Sequence, residues 1–181
     1  MQLTIHTVDA APAASQPLLK GIAEDLGLVP NMAAVIAESP ILLTIFDAMR
    51  RAVGSAGIDP VHREVAGLAV GVAVDNAYGV AFHSMMLGNL GVADSDIDAM
   101  RSGRAPTDPG SAAVYALSRD LVLTRGKVDD AVIARAIETG LSAEAILEIV
   151  AECTFAGLVG TMDNLAGRVP LDGFLAPRAW R

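Results

Sequence analysis

The chain has 181 residues, 52% of them hydrophobic and 19% charged, with a mean hydropathy of +0.46. Its 13 Lys and Arg against 21 Asp and Glu give a formal net charge of -8, which repels phosphate backbones and anionic lipid surfaces and argues against nucleic acid as a partner. Cys153 is the only cysteine, which excludes an internal disulfide and any multi-thiolate metal cluster.

The opening residues lack a basic segment followed by an apolar run, so they do not read as a signal peptide, and a cytoplasmic protein is expected. Leu3, Ile5 and Thr7 alternate without a partner strand and predict an extended arm. From there helix signals dominate. Ser39-Pro40, Asp59-Pro60 and Asp108-Pro109 each join a capping side chain to a proline suited to the first helical position. Asn31 and Ser142 are further cap candidates, and Gly91, Gly103, Gly126 and Gly140 stand where helices would close in a left-handed residue. The punctuation predicts helices over 17–26, 32–38, 40–53, 60–74, 77–90, 95–102, 109–124, 129–139 and 143–166. The expectation is a single all-α domain over 1–181, with a core from about 17 to 167 and an irregular C-terminal arm at 168–181. The longest uncharged stretch, 76–93, carries Asn76, His83, Ser84 and Asn89, so no membrane span is expected. The surplus of apolar residues predicts a homo-oligomer, since a monomer would expose them.

An internal repeat emerges when helix ends are aligned. Gly91-Val92 followed by Ile97 matches Gly140-Leu141 followed by Ile146 at an offset of 49 residues, and Val65, Leu68 and Val72 fall on Val114, Leu117 and Leu121. At that offset Glu64 falls on Ala113, Asn76 on Arg125, Gly79 on Val128 and His83 on Val132. The apolar frame is shared, and the polar group belongs to the first copy only.

Glu64 shares a helical face with Gly67, Leu68 and Gly71, while Asn76, Gly79, Val80, His83 and Leu87 form a stripe on the following helix. The short link makes the two helices neighbours, so Glu64 and His83 are expected to converge. Alone, Glu64 reads as a residue stabilising a helix start, and His83 as a satisfied core histidine. Together they are a candidate acid/base pair, with Asn76, Tyr78 and Gly79 as candidate substrate contacts, although Asn76 also reads simply as a helix cap.

Glu64, eleven residues, Asn76-Ala77-Tyr78-Gly79, three residues, His83 resembles the redox motif of the alkylhydroperoxidase D-like and carboxymuconolactone decarboxylase superfamily, with both cysteines of its Cys-x-x-Cys replaced. The likeness extends from Gly27-Leu28-Val29-Pro30-Asn31 and Ser39-Pro40 to Gly140-Leu141-Ser142, Asn164 and Val169-Pro170-Leu171-Asp172. It implies a small helical oligomer, a trimer or a hexamer. In redox-active relatives the cysteine pair reduces peroxide while Glu and His move protons, which Asn76 and Gly79 cannot support. The decarboxylase branch works without the thiol pair, so acid/base chemistry on a small organic acid or lactone is the leading expectation. A peroxidase-related antioxidant role through a non-standard thiol and a non-catalytic small-molecule-binding oligomer are the alternatives.

Cys153 lies in an apolar run and reads as inert, its sharper alternative being a one-cysteine peroxidase. His6 and His62 have no helical metal-ligand spacing with another histidine, so neither a metal nor a cofactor is expected. Gly157 and Gly160 would let another helix approach closely.

Overall fold

A computed structural model describes residues 3–181. Among these, the chain forms helices α1 (Gln16–Leu26), α2 (Asn31–Ile36), α3 (Pro40–Gly54), α4 (Pro60–Ala73), α5 (Ala77–Asn89), α6 (Asp94–Arg101), α7 (Pro109–Leu123), α8 (Asp130–Glu138) and α9 (Ala143–Leu165), with a short 3-10 turn at Ala176–Arg178. There is no strand among the described residues, so the fold is all-α.

The caps explain the helix starts. Ser39 Oγ accepts from Leu42 N, Asp59 Oδ1 from Val61 N, Asp108 Oδ2 from Ser111 N and Ser142 Oγ from Ala145 N, each satisfying a first-turn amide that has no partner inside its helix. Asn31 departs from expectation. It is the first residue of α2 rather than its cap, and its side chain donates to Pro170 O at 3.0 Å while Asp172 takes its backbone N–H. Gly91, Gly103, Gly126 and Gly140 all have φ between 83° and 98°, the left-handed region in which a Cβ is disfavoured.

α4 is the centre. Its residues 64–71 are buried without interruption, because α5, α7 and α9 cover it on different sides. Val65, Leu68, Val80, Leu87, Val114, Leu117 and Ile149 fill the core these helices share. A second core joins α1, α2 and α3 to the other end of α9 through Leu19, Ile22, Leu43, Phe46, Val159 and Met162. α9, outside the 76–93 stretch, is long and apolar enough to cross a membrane by length and composition. In the fold it packs against α3, α4, α5 and α7 and buries Glu152 and Asp163.

The C-terminal arm lies across its own chain. Arg101 donates to Arg178 O and Ala179 O at 2.8 and 2.7 Å, and the buried Trp180 donates its Nε1–H to Arg101 O. The N-terminal arm has no regular secondary structure over residues 3–7 and is held by His6, which donates its backbone N–H to Ala34 O and pairs with Glu38 at 2.7 Å.

Candidate active site

Four side chains from three helices meet beside α4. Glu64 sits in the second turn of α4, beyond the amides of the helix start that its position in sequence suggested it would stabilise, and points inward. Its Oε2 lies 2.8 Å from His83 Nδ1 on α5, and its Oε1 accepts both Nε and Nη2 of Arg63 at 3.0 and 2.9 Å. Glu152 of α9 closes the far side, with Oε1 3.9 Å from His83 Nε2. Glu64, His83 and Glu152 are buried, at 3%, 8% and 4% exposure, and Arg63 reaches partly to solvent.

Glycines make this convergence possible. A Cβ built on Gly67 would stand 2.1 Å from His83 Cε1 and 2.3 Å from Nε2, so the imidazole occupies the volume that any other residue would fill. Gly71 lets α5 close onto α4 at Val80 in the same way, its Cβ position being 3.1 Å from Val80 Cγ2. The half-exposed Phe82 stands edge-on to the imidazole, with ring centroids 5.2 Å apart.

Burial disfavours the Glu64 carboxylate, yet the hydrogen bonds and positive charges of His83 and Arg63 outweigh it and hold its pKa below the ordinary carboxylate value. His83 mirrors this: burial lowers its pKa, but the Glu64 hydrogen bond and charge prevail and raise it above the ordinary histidine value. Glu152 differs, because burial is reinforced by the nearby Glu64 charge and outweighs attraction to His83 and Arg63, so its pKa is raised and it retains its proton longer. The pair thus favours the charged imidazole beside an ionised Glu64, while burial favours the protonated form of Glu152.

The other proposed contacts are engaged elsewhere. Asn76 caps α5, its Oδ1 accepting from Gly79 N at 2.9 Å, and its Nδ2 is buried without a hydrogen-bond partner. Gly79 and Gly160 leave room for that amide, since a Cβ on either would crowd Asn76 or Val74. The close approach foreseen for Gly160 is therefore real, whereas a Cβ on Gly157 meets nothing within 4 Å. Tyr78 faces the second core, where its hydroxyl donates to Asp172 at 2.5 Å; burial and that carboxylate raise its pKa. Asp163 accepts from the N–H of Ala77 and of Tyr78 and pairs with Arg168, so the start of α5 is anchored by the protein's own carboxylate. Asn76, Tyr78 and Gly79 make no hydrogen bond to Glu64 or His83 among the described residues.

Arg63 and Glu152 were missed from sequence. The available signal for Glu152 was its isolation: it is the only charged residue between Glu148 and Asp163. Its neighbour Cys153 is buried, and that burial pushes its thiol pKa up to about 12, so it is a protonated thiol near neutrality. Among the described residues no three His, Cys, Asp or Glu side chains stand in a metal-holding arrangement.

Residues 24–119, more than half of the sequence, match the model of the Carboxymuconolactone decarboxylase family. The chain belongs to this family. Several solved structures share its fold over almost the whole length. An uncharacterized peroxidase-related protein from Ralstonia eutropha JMP134, described as an alkylhydroperoxidase AhpD core, superposes with a TM-score of 0.81 at 22% identity, covering 99% of this chain and 97% of that one. The debrominase Bmp8, in complex with 2,3,4-tribromopyrrole, gives 0.78 at 15% identity over 98% and 95% of the two chains. An uncharacterized peroxidase-related protein from Silicibacter sp. TM1040 gives 0.77 at 17% identity over 97% and 93%. At these identities the likeness establishes the fold that this member of the carboxymuconolactone decarboxylase family shares with them. No curated protein matches it in sequence.

Proposed function

We propose that this member of the carboxymuconolactone decarboxylase family is an acid/base enzyme acting on a small organic acid or lactone, with Glu64 and His83 as its working pair. The observation that carries the reading is the buried 2.8 Å contact between Glu64 Oε2 and His83 Nδ1. A carboxylate on Nδ1 orients the ring and stabilises its protonated form, which leaves Nε2 as the position that delivers or takes a proton at the substrate. Arg63 occupies the other oxygen of Glu64, so the carboxylate remains ionised and available to the imidazole. A thiol route has less support, because Cys153 is the single thiol and is buried in its protonated form.

The test is turnover of a panel of unsaturated lactones and carboxylated lactones, followed as loss of lactone absorbance and release of CO2. Glu64→Gln and His83→Gln should each lower kcat about 10²- to 10⁴-fold on whichever substrate is consumed. Turnover that survives both substitutions would refute the assignment.

We also infer a homo-oligomer as the working form. Ile41, Ile137 and Leu147 are 77%, 58% and 68% exposed, which supports apolar surface awaiting cover. Light scattering should give a mass that is a multiple of 18.6 kDa, and a clean monomer at micromolar concentration would end this reading.

A further inference from the structure

Glu152 has no place in the Glu64–His83 pair, yet it is the least explained side chain in the molecule. It is 4% exposed in the middle of an apolar helix, and among the described residues it makes no hydrogen bond to the protein. Its one ion-pair contact is His83 Nε2 at 3.9 Å, too long for a hydrogen bond. Nε2 likewise makes no hydrogen bond among the described residues, since the Glu64 contact is made through Nδ1. Two polar groups, neither hydrogen-bonded to the protein among the described residues, thus stand 3.9 Å apart. Buried polar groups ordinarily find partners, and an aliphatic residue at 152 would suit the core better.

Their separation sets what could bridge them. Two donors 3.9 Å apart, each making a hydrogen bond of about 2.8 Å, meet on a single oxygen atom at an angle of roughly 90°. We propose that His83 Nε2 and the Glu152 carboxyl group form a two-donor subsite for one oxygen atom of the substrate, a carbonyl or carboxylate oxygen that carries negative charge during the reaction. This deepens the acid/base reading and names what the pair acts on.

Charge supports the assignment. Arg63 and Glu64 pair through one carboxylate oxygen, the Glu64 charge favours the protonated His83 ring, and burial with the Glu64 carboxylate favours the protonated form of Glu152. Glu64 and Arg63 on α4, His83 on α5 and Glu152 on α9 are the charged or titratable groups of this cluster, and Glu64 is already shared between Arg63 and Nδ1. An anionic oxygen within reach of both Nε2 and Glu152 would give each a hydrogen bond. Donors aimed at the place where negative charge develops are the arrangement that stabilises an enolate or a carboxylate in a water-poor site.

The experiment uses formate as the probe and the ¹⁵N resonances of His83 in the intact protein as the readout. Formate should move the Nε2 resonance in the wild type, with an affinity that falls as pH rises through the pKa values of Glu152 and His83. Glu152→Leu, which keeps the bulk and removes the donor, should weaken formate binding about tenfold or more. Glu152→Gln, whose amide still donates, should retain binding and lose the part of the pH profile belonging to Glu152. If Glu152→Leu does not fold, the Glu152→Gln profile decides alone. Formate leaving the Nε2 resonance unmoved, Glu152→Leu binding like the wild type, or a Glu152→Gln profile identical to the wild type would each overturn the proposal. Failure of the acid/base reading is separate, because it is read from turnover: formate binding that depends on Glu152 in a protein that consumes no lactone upholds the subsite and removes the proposed reaction.

Discussion

The triplets α4–α6 and α7–α9 are built on one frame and used differently. α4 and α7 start at Pro60 and Pro109, α6 and α9 start at Asp94 and Ala143, and α5 and α8 end at Asn89 and Glu138, all 49 residues apart. The caps repeat as well, with Asp59 and Asp108 each holding first-turn amides. Val65 and Leu68 are buried like Val114 and Leu117. The difference lies in the middle helix and what it faces. At this offset α5 starts at Ala77 and α8 at Asp130, so the second copy lacks the first helical turn of the first. Ala113 stands for Glu64, Val132 for His83 and the exposed Ala116 for the buried Gly67. An apolar version of the same frame therefore folds within the same molecule, and the buried charges of the first copy are not needed to build it.

The largest test makes the first copy resemble the second. Glu64→Ala leaves a buried imidazolium without its carboxylate and should destabilise the protein by about 3–5 kcal/mol in urea unfolding, whereas Glu64→Ala with His83→Val should recover most of that loss. Both variants should lack turnover. A double variant as unstable as the single one would mean that the ion pair is part of the scaffold.

Gly67→Ala comes next, and it installs the residue that the second copy already carries at Ala116. The added methyl must displace the imidazole, at a cost of about 1–3 kcal/mol, and should abolish the low-field resonance of the Glu64–His83 hydrogen bond. Ala116→Ser, which also adds one heavy atom but at the exposed equivalent position, should stay within about 0.5 kcal/mol of the wild type. Equal effects at the two positions would contradict the packing assigned to Gly67.

The smallest expected effect is the pH dependence of stability. Glu64 has a lowered pKa, so its contribution is present above its unfolded value and is lost as pH falls through the folded one. His83 has a raised pKa, so its contribution is complete below its unfolded value near 6.5 and disappears as pH rises through the folded one. Glu152, also raised, loses stability as pH rises above its unfolded value near 4.5. Thermal melts should decline on both sides of a mildly acidic to neutral maximum. In Glu64→Ala with His83→Val the acid-side share of Glu64 should be absent, and Glu152→Gln should remove what remains on the alkaline side. Curves that superpose with the wild type would show that these groups do not titrate as their surroundings require.

Much of the fold was legible because its signals are local. A cap and a proline act within one turn, and so the starts of α3, α4 and α7 were readable at Ser39, Asp59 and Asp108. Asn31 shows the limit of that logic, since its side chain and backbone N–H are taken by Pro170 and Asp172, at the far end of the chain. Tyr78 illustrates the same limit: its place in the motif suggested a substrate contact, but neighbours from α2 and the C-terminal arm turned it to another core.

Sequence by itself determined the helical class, the repeat, the single thiol and the closeness of Glu64 to His83, because helical periodicity and a three-residue link leave adjacent antiparallel helices little freedom. Only the tertiary structure decided that Arg63 would share Glu64, that the His83 ring would rest in the space left by Gly67, and that Glu152 would face Nε2 from a helix far along the chain. The last of these depends on how α9 packs across α4 and α5. Pattern and spacing describe which face of a helix is apolar, but they do not say which polar side chain on a distant helix arrives opposite a given atom, as Glu152 does opposite His83.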